Sequence, residues 1–186
     1  MREHIYKSKL KIVVPFTVIL AMLITAGLFY AQKLPAQKKP KMLVHMRTNI
    51  KKDDGPPCVG FNMALSGLES GYDVEMLFDM EACYNLKIFE GDGKTDYQRY
   101  NVPDDLKQLI KQQYPDFPLD RVKTYQDFLT IYHEMGAKIT MNGTWNALTK
   151  VENSIKGKEH IIPIAEPLTL DEMTQHFKQA DVYLAY

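Results

Sequence analysis

The stretch from Lys41 to Phe78 constrains the fold most, because it spells out a strand, a helix and a second strand in close succession. KMLVHMRT (41–48) is an apolar strand bounded by the polar turn NIKKDDGPP. Phe61, Ala64, Leu65 and Leu68 then recur at intervals of three and four, the spacing of one helix face. Gly71 stands where a helix C-cap glycine is expected, and DVEMLF (73–78) is again a strand. Two strands joined through a helix run parallel, since the crossover returns the chain to the end it started from.

The rest of the soluble part repeats the alternation. A helix is expected over residues 103–113, with Pro103 and two aspartates in its first turn. Thr124 opens another, on which Tyr125, Phe128, Leu129 and Tyr132 share a face, and Gly136 ends it. Ala137–Met141 is a strand, followed by a short helix near Trp145–Lys150. Ile161–Ile164 is a further strand that Pro163 confines to an edge or an irregular stretch. Thr169 and Glu172 have capping-box spacing, and the helix they open should bury Leu170, Met173 and Phe177. VYLAY closes the chain as a last strand. Residues 79–102 are less regular, a short helix and then the polar loop GDGKTDYQRY. Strands buried on both faces predict a three-layer α/β/α sandwich with a mostly parallel sheet. Its βα loops, 49–58, 79–84 and 141–145, gather at the carboxyl edge, where such folds place their sites.

Residues 12–32 carry no charge, and lysines flank them on both sides. At about 1.5 Å per residue that length crosses a bilayer. It exceeds the apolar core of a cleaved signal peptide, and the cleavage-site options are poor. It has no polar face for a helix of a soluble domain. The sequence therefore predicts a basic tail over 1–11, a single-pass transmembrane helix over 12–32, a lysine- and proline-rich spacer over 33–40 and an α/β domain over 41–186. A short basic tail ahead of the first apolar segment favours a cytoplasmic N-terminus, which puts the domain on the periplasmic or extracytoplasmic side. The 23 basic and 23 acidic residues balance, so no basic excess points to nucleic acid.

Two segments resemble the DsrE/DsrF-like family of small α/β domains associated with sulfur relay. They are KMLVHMRT…MALSGLESGYDVEMLFDMEACYNLK and HEMGAKITMNGTW…LTLDEMTQHFKQADVYLAY. The resemblance spans roughly 41–186 and implies the family's fold and a tendency to form homo-oligomers. Family members that carry sulfur hold a cysteine just after the strand matching Ala137–Met141. Here that turn reads Met141, Asn142, Gly143, Thr144, Trp145, and none of these can form a persulfide.

The thiols are elsewhere. Cys58 falls in the first turn of the first helix, where a helix N-terminus should lower its pKa. Cys83 follows the second strand, on the same sheet edge. They are a redox or persulfide pair, a structural disulfide, or two small buried hydrophobes. With His45, Met46, Met80 and Met141 projecting near that edge, a Cu(I) site is a fourth possibility. His133, His160 and His176 read as surface residues, and Asp53-Asp54 and Asp104-Asp105 as a turn and a helix start. Gly91-Asp92-Gly93 lacks the context of a phosphate loop. The expectation is a binding or assembly module at the membrane, working alone as a homo-oligomer or as a subunit of a membrane complex. Its contacts are Met80, Met141, Asn142, Thr144 and Trp145, with no cofactor and no resident metal; sulfur relay through Cys58 or Cys83 and Cu(I) handling are the alternatives.

Overall fold

A computed structural model describes residues 38–186. The tail, the uncharged run 12–32 and most of the spacer lie outside the described residues. Within them no helix is long and apolar enough to cross a membrane.

The first unit forms as its pattern dictates. β1 (Lys41–Met46) and β2 (Asp73–Phe78) are parallel and in register, Lys41 opposite Asp73 and Met46 opposite Phe78. α1 (Gly55–Glu69) joins them and buries Phe61, Ala64 and Leu65. A tight helical turn, Met80–Leu86, follows β2. The polar loop GDGKTDYQRY contains a one-turn helix, α2 (Asp96–Arg99), framed by a Thr95–Gln98 capping box. α3 (Asp104–Gln113) and α4 (Tyr125–Glu134) come next, then β3 (Lys138–Asn142), α5 (Gly143–Leu148), β4 (Ala165–Leu168), α6 (Leu170–Gln179) and β5 (Val182–Ala185).

The five strands are all parallel, in the order β4-β3-β2-β1-β5. The front core is built from Met42, Val44 and Met46 of β1, Met76 and Phe78 of β2, α1, α4 and Tyr97 of α2. Its centre is aromatic: Phe61 meets Tyr97 and Tyr125 edge-on, with centroids 5.3 and 5.4 Å away. Such pairs add about 0.5–1.5 kcal/mol to the burial of each ring. On the other face α6 packs Met173 against Leu43, Leu77 and Leu168. The period of two along β1 thus sends methionines forward and Leu43 and His45 backward.

Two expectations need correcting. The apolar run Ile161–Ile164 is not a strand: Ile161 makes one antiparallel bridge to Lys87, and the fourth strand starts at Ala165. Pro167 is tolerated in it because β4 is an edge. α6 buries Met173 alone of its three apolar positions, leaving Leu170 and Phe177 55% and 37% exposed.

Candidate functional site

β1 leads through α1 to β2 on one side, whereas β5 is inserted on its other side after the chain has crossed the back of the sheet on α6. The strand order therefore switches direction between β1 and β5, and at such a point the loops part and leave a crevice at the carboxyl edge. A recess of about 300 Å³ lies there, lined by Arg47, Thr48, Met80, Glu81, Ala185 and Tyr186. Met80 reaches it from a left-handed backbone conformation, φ 50°, which an unbranched residue adopts only at a cost of order 1 kcal/mol. Its amide donates to Asp79 Oδ1 at 2.7 Å, and Arg47 Nη2 lies 3.4 Å from its sulfur.

Behind the recess, Asp79 holds the ends of three strands together. Its carboxylate accepts from His45 Nε2 at 3.2 Å and from Asn142 Nδ2 at 2.8 Å. His45 Nδ1 is 2.8 Å from the Tyr183 hydroxyl of β5. In the tautomer that donates to Asp79, this nitrogen accepts from Tyr183, so both imidazole nitrogens are occupied. Burial pushes the Asp79 pKa up, but the donors His45, Asn142 and the Met80 amide outweigh it and hold the carboxyl below its ordinary value.

The turn Met141–Trp145 is equally committed. Asn142 Oδ1 accepts from the Trp145 amide at 2.9 Å as the N-cap of α5, while its Nδ2 is spent on Asp79. Gly143 is required by space: a Cβ there would collide with the backbone carbonyl of Ile155. Met141 is fully buried in the front core, and Trp145 packs against that core with its indole N–H buried and unpartnered among the described residues. Thr144 is half-buried. Of the five predicted contact residues only Met80 lines the recess. Arg47 and Tyr186, which complete it, were not among them.

Among the readings open for the thiols, the buried one describes Cys83, and the lowered pKa expected for Cys58 is not found. Cys58 does sit in the first turn of α1, but burial raises its pKa, with Asp54 nearby adding to the rise; hydrogen bonds from Tyr125 and Asn62 do not compensate. Cys83 is fully buried, its pKa driven far up by burial, and its thiol donates to the Phe78 carbonyl at 3.5 Å. Both cysteines are free, so no disulfide joins them. The copper set does not converge either. Met46 and Met141 point into the front core, while His45 lies on the back and is bonded to Asp79 and Tyr183.

No protein-family model matches the sequence, and no curated protein matches it. Among solved structures, the YchN protein from E. coli is similar over 81% of this chain and 100% of that one, at 14% identity and a TM-score of 0.44. A likeness of that extent assigns neither family nor activity.

Proposed function

We propose that the chain is a membrane-tethered DsrE-like domain that works as a binding or assembly module, with the carboxyl-edge recess around Arg47 and Met80 as its contact surface. The observation that carries this reading is the double commitment of Asn142, one end of its amide capping α5 and the other held by Asp79. A residue tied down in this way shapes the turn and leaves no reactive group where a sulfur carrier needs one.

The tether rests on the uncharged run 12–32, and the periplasmic or extracytoplasmic side on the short basic tail before it. Association into a homo-oligomer or with a membrane complex follows from the family resemblance. A recess holding a guanidinium beside a thioether and a phenol suits a partner segment that offers a carboxylate next to an apolar side chain.

Photo-crosslinking from position 80 in intact membranes tests the contact surface. A discrete adduct that disappears in the Arg47→Glu background supports it; equal crosslinking from an exposed position far from the recess, such as Leu109, contradicts it. Release of the chain from membranes by alkaline carbonate would contradict the tether. Sulfur relay through Cys58 or Cys83 has no support in their raised pKa values, because the thiolate is the nucleophilic form.

A further inference from the structure

Away from the carboxyl-edge recess, a cavity of about 470 Å³ opens between the segment 87–90 and the loop that follows α5. Its wall carries Glu152 and His160, and Glu159 adjoins them. One potential ligand atom from each of these three residues lies within 4.8 Å of the others. We propose that Glu152, Glu159 and His160 bind one borderline divalent cation of the zinc class, with the cavity supplying the remaining coordination position.

Glu152 is the anchor. Its side chain is only 1% exposed. An ionised carboxylate removed from water costs several kcal/mol unless a cation or several donors meet it. Among the described residues a single one meets it: the His160 amide donates to Oε1 at 2.5 Å and His160 Nδ1 lies 3.3 Å from Oε2. The loop is shaped around this carboxylate. A Cβ on Gly157 would come within 2.9 Å of both Glu152 Cβ and Oε2.

The second ligand is fixed by backbone pairing. Ile88 donates to the His160 carbonyl at 2.7 Å and Ile162 to the Leu86 carbonyl at 3.1 Å, which ties residues 160–162 to the chain after β2. The 3.3 Å between Glu152 Oε2 and His160 Nδ1 equals the edge of a tetrahedron with metal–ligand bonds of about 2.0–2.1 Å, roughly 3.3–3.4 Å. A cation can therefore replace the proton between these atoms without moving Glu152. Glu159 is exposed, and one of its carboxylate oxygens already lies within 4.8 Å of the other two ligand atoms.

One imidazole and two carboxylates form a nitrogen–oxygen set suited to zinc-class ions more than to a soft one. Lys87 and Lys150 also line the cavity. Lys87 lies 5.7 Å from the Phe89 ring centroid, over its face, while Glu90 adds a third carboxylate nearby. Lys150 stands in a left-handed conformation, φ 59°, directly after the α5 C-cap. Its ammonium would oppose a bare cation and attract an anionic ligand bound to one.

The test uses the full chain in mild detergent, dialysed against Zn²⁺ with metal counted by mass spectrometry, and titrated with Co²⁺ as a spectroscopic probe. The expected result is one Zn²⁺ per chain and a visible Co²⁺ band of low-symmetry coordination. Loss of a ligand should weaken binding by more than the about 10–100-fold typical of an outer-shell change. Glu152→Gln and His160→Ala should each do this, and His133→Ala should not. Glu159→Gln, on an exposed side chain, covers the case in which the buried variant fails to fold. No stoichiometric metal, or binding equally lost in His133→Ala, overturns the proposal.

Discussion

Replacing Asn142 by alanine separates a structural turn from a reactive one. Two interactions vanish together. The N-cap bond to the Trp145 amide is worth about 1 kcal/mol, and the bond to the Asp79 carboxylate, which has a charged acceptor, about 1.5–3 kcal/mol. The combined loss at pH 7 is about 3 kcal/mol, or about 6–12 °C in Tm for a domain of this size. The loss should also depend on pH. Asp79 has a depressed folded-state pKa, so its stabilisation is present above the unfolded value of about 3.9 and disappears as pH falls through the folded value. Asn142→Ala raises that folded value by removing a donor, so the gap between variant and wild type should narrow below about pH 4. Asn142→Asp is the control: it keeps a good cap but sets a second carboxylate against Asp79. It should be destabilised at pH 7 and recover on acidification. Thermal denaturation followed by circular dichroism at pH 7 and pH 3 reads both variants. A loss below about 0.5 kcal/mol for Asn142→Ala, or an Asn142→Asp protein as stable as wild type at pH 7, would refute the reasoning.

Three further outcomes follow from the same geometry. Gly143→Ala should cost more than about 3 kcal/mol or prevent folding, since the new methyl meets the Ile155 backbone, which cannot step aside as a side chain could; soluble expression and Tm report it. Alkylation of native protein should be slower at Cys58 than at an unstructured thiol at pH 8, because its raised pKa leaves less thiolate, and should reach Cys83 only on unfolding; peptide mapping distinguishes the two. Thr169→Ala should lower stability by about 1 kcal/mol, as the capping box at the start of α6 loses the Glu172 amide bond.

The elements that sequence reasoning placed well are those whose pattern is local. Asp73–Phe78, the helix opened by Thr124 and the capping box at Thr169 need only their own neighbours to be recognised. The apolar run Ile161–Ile164 misled because its burial comes from a bridge to Lys87 and packing in the front core, and hydrophobicity alone does not distinguish that from a strand. Tyr97 lies in a segment of polar composition that reads as a loop, yet it sits on the one-turn helix α2, is fully buried, and its hydroxyl accepts from Asn85 at 3.2 Å. The site was legible as a place and not as a set of residues. His45 finds Asp79 and Tyr183 at separations of 34 and 138 residues, and Arg47 meets Tyr186 only because β5 lies beside β1. Cys58 was misjudged because burial outweighs the helix terminus, and its hydrogen-bond partner Tyr125 comes from a helix distant in sequence.

The proposed function has this domain bind without carrying sulfur. The most direct measurement is intact-protein mass spectrometry of the chain after exposure to polysulfide, followed by incubation with a thiol acceptor. The account predicts unmodified Cys58 and Cys83 in the folded protein and no sulfur gained by the acceptor. A persulfide on either cysteine that passes to the acceptor would contradict it.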